Sequence, residues 1–292
     1  MKVILATDGS EHAQEAARLL AHLPHSDKLE LTVVYASNSY GFRGSMGGTE
    51  LNKRLEDADK ARAQTVFQSV CSVFEGANAS LDLCVLEGKI ATSIIHEAEA
   101  RTSDLIVLGS VGHSMFERML GSVSDYVASH AHCSVLVVRP TEMSKKKRPI
   151  NLCFAHNEPE ATTESIQQLA AFGWGAGVNI DIVGVAAIPF TYSEIPYEFD
   201  LVEIEKAMQP SLDHAADELR ELSPNVQTHI IDGTHVGDAL VEFAKKRGSD
   251  IVVLGNEVED FLSRFLIGST SRYVLRHAKC SVWIARKHTS TD

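Results

Sequence analysis

Asp104-Leu-Ile-Val-Leu-Gly109-Ser-Val-Gly112-His-Ser-Met-Phe-Glu-Arg-Met-Leu-Gly121-Ser122-Val-Ser124-Asp-Tyr126, continuing to His130-Ala-His-Cys133-Ser-Val-Leu-Val-Val-Arg139, is an apolar run, a loop with two glycines three apart, a Gly-Ser pair opening a short helix, and a second apolar run. That order reads as strand, loop, helix, strand. The phrase returns as Asp250-Ile-Val-Val-Leu-Gly255, Gly268-Ser269-Thr-Ser271-Arg-Tyr273 and His277-Ala-Lys-Cys280-Ser-Val-Trp-Ile-Ala-Arg286. Asp104 and Asp250 lie 146 positions apart, whereas Gly121 and Gly268 lie 147 apart, so the first copy has the shorter loop by one residue. The chain is a tandem repeat, which divides its 292 residues into halves of ordinary domain size. The expected boundaries are 1–141, a linker at 142–149, and 150–292.

Outward from that unit, strands and helices alternate. Val3–Ala6 is a short apolar strand, and Thr7-Asp8-Gly9-Ser10 turns the chain, with Ser10 placed to cap a helix whose stripe is Ala13, Ala16, Ala17, Leu20 and Leu23. Strand two is Leu29–Ala36, residues 37–49 are a Gly- and Ser-rich connection, and a long amphipathic helix runs from about Glu50 to Phe74. Strand three is Leu81–Leu86. Ile90, Ile94, Ile95 and Ala98 mark the inner side of the next helix. The second half repeats the plan: strand 150–155, helix 160–172, strand 178–186, a loop rich in Pro and aromatics at 189–200, helix 201–222, strand 226–231 and helix 237–246. Helices of this length between strands impose parallel pairing, and the β-branched central runs fit strands covered on both faces.

Composition narrows the function. The net charge is −12, about −5 in residues 1–141, +3 in 142–149 and −10 beyond. An acidic chain of this kind repels nucleic acid and anionic membranes, so neither is an expected partner. The basic run Lys145-Lys-Lys-Arg148 reads as a solvated tether. The five cysteines, at 71, 84, 133, 153 and 280, show no C-x-x-C spacing and sit mostly in apolar runs, as buried thiols of a reducing compartment do. With Met1-Lys2 leading straight into Val3 and no apolar stretch of membrane-spanning length, the expected location is cytoplasmic.

Ligands of open parallel sheets bind beyond the carboxyl ends of the strands, where the strand order reverses. If strands one and four meet there, Thr7 and Asp8 lie beside Leu108 and Gly109. Gly109 and Gly112 would let the loop bend and turn backbone N–H groups toward an anion, and Gly121-Ser122, with Val123 and Ser124, adds a helix start and hydroxyls. Asp8, an acceptor only, suits ribose hydroxyls or a hydrated Mg²⁺ shared with phosphates. His113 is open to two readings, a phosphate contact or an exposed loop residue. His130 and His277 recur before strand five as packing or capping residues would; no metal site is expected. The G-x-S-x-G elbow and the G-K-[ST] ending of a P-loop are absent, so rapid phosphoryl transfer lacks its usual parts.

These residues resemble the universal stress protein family over nearly the whole chain. The family pattern is Gly, two residues, Gly, nine residues, then Gly-Ser or Gly-Thr, with an aspartate after strand one; it is matched by Gly109, Gly112, Gly121-Ser122 and Asp8, although eight residues, not nine, separate Gly112 from Gly121. The resemblance implies an α/β fold of two open five-stranded parallel sheets in the order 3-2-1-4-5, with helices on both faces. For the ATP-binding branch it implies adenine held by backbone near Ala36, ribose near Asp8, and phosphates on Gly109, Gly112, Gly121, Ser122 and Val123, with Mg²⁺ through the phosphates. It also implies strand-five pairing, Ser134–Arg139 with Ser281–Arg286 as an internal pseudo-dimer, or between chains as a homodimer. In the second half His156 is aligned with Asp8 and Val258 with the second glycine, which leaves a poor nucleotide site whose Gly255, Gly268 and Ser269 retain an anion seat. The expected function is a nucleotide-binding stress regulator holding ATP (or AMP or ADP) in its first half. The alternatives are a scaffold for protein partners with no nucleotide requirement, and slow ATP hydrolysis.

Overall fold

The computed structural model describes residues 1–25, 27–36, 49–111, 120–141, 148–156, 159–187, 201–255 and 267–286. The chain forms two compact units, Met1–Pro140 and Thr141–Lys287. In the first unit β1 (Lys2–Thr7), β2 (Leu29–Ala36), β3 (Ala79–Leu86), β4 (Leu105–Gly109) and β5 (Ser134–Val138) are all parallel and lie in the order β3-β2-β1-β4-β5. Between them run α1 (Glu11–His22), α2 (Thr49–Val73), α3 (Ile90–Ala100) and α4 (Ser122–His130). β1 and β4 sit mid-sheet, and their Ile4, Leu5, Ile106 and Val107 are completely buried, which is why these strands read as continuous apolar runs. β3, at an edge, alternates in exposure instead.

The start of α1 follows from its sequence. Ser10 has extended backbone and its Oγ accepts from the Ala13 N–H, so one orphan donor of the first turn is satisfied. Ala13, Ala16 and Ala17 then form a face of small residues that lets the helix approach β4 closely.

The second unit repeats the order as β8-β7-β6-β9-β10, from β6 (Ile150–His156), β7 (Val178–Ala187), β8 (Val226–Gly233), β9 (Ile251–Gly255) and β10 (Ser281–Ala285). Its helices are α5 (Pro159–Ala170), α6 (Leu201–Arg220), α7 (Val236–Arg247) and α8 (Ser269–His277). Large aromatics fill its core: Phe172 meets Trp283 edge-on at 5.3 Å and Trp174 at 5.5 Å, and the Trp174 indole N–H donates to the Leu169 carbonyl. Element ends fall within three residues of those expected from the sequence, the strands running a little longer and the helices at 160–172 and 201–222 stopping two residues sooner.

Much of the repeat proves to be scaffold. Asp104 Oδ2 accepts from the Lys2 N–H at 2.8 Å, and Asp250 Oδ2 accepts from the Asn151 N–H at 2.9 Å; each staples the start of one central strand to the other. His130 and His277 each donate Nδ1–H to the carbonyl four residues back, Tyr126 and Tyr273, and stack on that same tyrosine ring, so both are helix-end residues as their position suggested. The tether reading fails at its last cation. Arg148 donates to both oxygens of Asp250, at 2.7 and 2.8 Å, and is thereby built into the second unit; residues 142–147 lie outside the described residues.

All five cysteines are free, and Cys133, Cys153 and Cys280 are buried. Burial drives the Cys153 thiol far above its usual value, with Cys280 adding to the rise, so it is an inert thiol. Among the described residues no helix is long and apolar enough to cross a membrane.

Candidate functional site

The strand order of the first unit reverses at β1, which pairs with β2 on one side and β4 on the other. The register sets Ala6 against Leu108, so the chain leaves β1 at Thr7-Asp8 beside the end of β4 at Gly109. The turn that carries Asp8 is locked from within. Thr7 Oγ1 accepts from the Gly9 N–H at 3.1 Å, and Asp8 Oδ1 accepts from the Ser10 N–H at 2.9 Å. Gly9 holds φ +80°, and a Cβ there would stand 2.8 Å from Val66 of α2, so only glycine serves.

Residues from elsewhere gather at this turn. Tyr35, buried, is the next-to-last residue of β2, in register with Thr7, and the Arg62 guanidinium of α2 lies close to its phenol. Burial raises the Tyr35 phenol above its usual value; Arg62 pulls the other way, and Asp59 and Asp8 add to the rise. The turn therefore carries carboxylates and a guanidinium together. Nothing in the local sequence singled out Tyr35 or Arg62; the one available signal was a cation near the apolar stripe of α2, one turn before Val66.

The glycines have reasons other than those expected. Gly109 does not occupy positive φ. A Cβ on it would lie 2.8 Å from the backbone carbon of His12 and 2.9 Å from its oxygen, so it is glycine because α1 crosses β4 there, and not to bend a loop. Gly121 has its own N–H bonded to the Ser110 carbonyl and is no donor for a ligand. Ser124 Oγ donates to the Gly109 carbonyl at 2.7 Å, tying α4 to β4, so its hydroxyl is structural. Leu108 is core, its side chain buried and its backbone paired on both sides. Ser122 and Val123 are the first two residues of α4. Gly121 caps α4 without a side chain, and the N–H groups of the first turn have no acceptor within the helix. Ala36 ends β2, on the far side of β1 from Gly109. Gly112 and His113 lie outside the described residues.

In the second unit the pairing registers correct the alignment. Ala6 pairs Leu108, and Ala155 pairs Leu254, so the residue that follows, His156, matches Thr7 and not Asp8. In the sequence Asn157 then aligns with Asp8; it and Val258 lie outside the described residues. The carboxylate is absent from this place all the same. His156 Nε2 meets Ser211 Oγ of α6 at 2.9 Å, and its Nδ1 meets Thr162 Oγ1 of α5 at 3.1 Å. Gly255, Gly268 and Ser269 all border one cavity of about 620 Å³ at the ends of β6 and β9.

Comparison with known proteins agrees with this architecture. The Universal stress protein family model matches residues 1–139 and again 151–286. A universal stress protein of Methanocaldococcus jannaschii is 33% identical over 141 residues, 47% of this chain and 81% of the relative. One from Mycobacterium tuberculosis is 26% identical over 234 residues, 79% of both chains. The crystal structure of a universal stress protein from Archaeoglobus fulgidus covers 98% of this chain and 96% of its own, with a TM-score of 0.63 at 18% identity, a likeness of fold.

Proposed function

Because the chain belongs to the universal stress protein family, with two copies of its domain, we propose that the first unit binds an adenine nucleotide, ATP in the first instance and AMP or ADP as alternatives, and acts as a stress-response regulatory module. The observation that carries the reading is the meeting of Asp8, at the end of β1, with Gly109, at the end of β4, where the strand order reverses. The Asp8 carboxylate accepts from the ribose hydroxyls. The Ser122 and Val123 N–H groups receive phosphate oxygens, and the first turn of α4 favours their charge. Adenine lies toward Ala36, where the end of β2 offers backbone groups. Arg62, beside Asp8 through Tyr35, offsets carboxylate charge close to an anionic ligand. Mg²⁺ enters with the phosphates and is held by them.

Binding rather than turnover is the activity proposed. The scaffold reading, in which partner proteins dock without nucleotide, makes the opposite forecast for one experiment. Purified protein is acid-extracted and the supernatant examined for adenine absorbance, then melted with and without Mg-ATP. Binding at a hundred times Kd stabilises by about 2.7 kcal/mol, which moves the melting point of a unit this size by about 9 °C. Asp8→Ala removes a charged acceptor worth about 1.5–3 kcal/mol and is expected to weaken binding roughly ten- to a hundredfold. Gly268→Ala, where a Cβ would meet nothing within 4 Å, is expected to leave the shift unchanged. No nucleotide and no shift would establish the scaffold reading.

A further inference from the structure

We infer that the second unit carries a docking face for a second copy of this chain: a basic patch at the C-terminal ends of α7 and α8 that receives the acidic outer face of α6 from a neighbouring molecule. The tandem repeat supplies the comparison. In the first unit the end of α3 and the chain just beyond α4 meet through an ion pair, His132 Nδ1 with Glu99 Oε1 at 2.7 Å. The repeat places Lys279 where His132 stands and Lys245 where Glu99 stands, so two like charges replace the pair. Lys246 likewise stands for Ala100 and Arg276 for Ser129, and all four cations are exposed.

The two helix ends are held side by side. β9 and β10 are parallel neighbours, a Cβ on Gly237 of α7 would stand 2.9 Å from the Tyr273 ring of α8, and the Tyr273 hydroxyl donates to Asp238 at 3.0 Å. A helix dipole favours a cation at each C-terminal end. The first unit nevertheless builds the same ends with Glu99, Ala100 and Ser129, so the dipole does not call for these cations. Lys245 meets Glu242 at 3.3 Å, but both side chains are largely exposed and such a pair offsets little of the crowding.

The matching anions lie on the other side of the same sheet. The connection from β7 to β8 runs toward the sheet edge and that from β8 to β9 returns across it, so right-handed crossovers put α6 and α7 on opposite faces. The outer face of α6 exposes Glu203, Glu205, Asp213 and Asp217 against Lys206 and Arg220. Complementary charge on opposite faces of one body cannot meet within a molecule. It meets between copies, head to tail, in a heterologous contact. A long polyanion suits the patch less well, because the acidic remainder of the unit repels it.

The test is sedimentation of the full chain at about 20 mM and about 0.5 M salt, between which the screening length falls from about 20 Å to about 4 Å. Whatever assembly persists at high salt is the baseline. Exposed ion pairs are individually weak, so association beyond that baseline is expected at low salt and lost at high salt. Lys245→Glu with Lys279→His writes the first unit's ion pair into the second, and is expected to weaken the low-salt association at least about tenfold with the melting point maintained. Glu205→Lys with Asp213→Lys, at exposed positions of α6, is expected to do the same. Neither double variant associates with itself, but their mixture does, because one keeps the acidic face and the other the basic patch. Lys60→Glu, exposed on α2 of the first unit, leaves association unchanged. Absence of salt-sensitive association, indifference to either double variant, an equal effect of Lys60→Glu, or no recovery in the mixture would each overturn the inference. So would binding of a fluorescein-labelled octaglutamate peptide or a short DNA duplex to the patch without self-association, which would give the face to a foreign acidic segment or to nucleic acid.

Discussion

Asp250→Ala is expected to destabilise the second unit by about 2–4 kcal/mol. The carboxylate is 2% exposed and accepts three hydrogen bonds, two from Arg148 and one from the Asn151 backbone at the start of β6. Removing it strands that N–H and leaves the guanidinium without its anion. Arg148 is 35% exposed and partly recovers its solvation, so the loss stays below that of a fully buried pair. The equivalent Asp104→Ala in the first unit removes the bond from the Lys2 N–H at a carboxylate that is only half-buried, so it should cost distinctly less. Urea titration of both variants checks the order: a lower midpoint at unchanged slope for the second-unit transition, with a larger shift for Asp250→Ala. Equal shifts would mean that the Arg148 contact contributes nothing to stability.

Gly109→Val carries the second large effect, on stability and on binding together. A Cβ at this position would stand 2.8 to 2.9 Å from the backbone and Cβ of His12, and backbone has no rotamer by which to yield. α1 must move off β4, at a cost of about 3 kcal/mol or more. Since α1 begins at Ser10, whose N–H is bonded to Asp8, the displacement carries the acidic turn with it. Nucleotide affinity is thus expected to fall further than at Gly121→Ala, where the nearest atom, the Ser110 carbonyl oxygen, is 3.2 Å away and a shift of a few tenths of an ångström suffices. Thermal melts and ATP titration of the two variants, side by side, measure both effects. A Gly109→Val protein as stable as the parent would show that α1 is not seated on β4 as described.

What the sequence made legible was whatever depends on local pattern. β2 spans Leu29–Ala36, the limits its apolar run suggests, and Ser10 caps α1 as its place before the alanine stripe suggests. Topology was legible because the repeat fixes the phase of strand and helix, and topology alone brought Asp8 to Gly109. Contacts across long separations were not legible. Gly109 answers to His12, 97 residues earlier, and Tyr35 to Arg62 on another element. The one-residue error at His156 arose because β1 and β6 share few identities; their register is set by pairing with β4 and β9, which an alignment of two strands does not see. Arg148 lay hidden for a similar reason, since a cation in a basic run carries no sign of the carboxylate it meets 102 positions away.

Hydrogen–deuterium exchange on the full chain, with and without saturating Mg-ATP, tests most directly where the nucleotide sits. The expected result is slowed exchange at the amides of Gly9 and Ser10 and of Ser122 to Ser124, with the α8 start at Ser269 to Ser271 unchanged. Protection confined to the α8 start, or none in either unit, would contradict the assignment of the adenine nucleotide to the turn between β1 and α1.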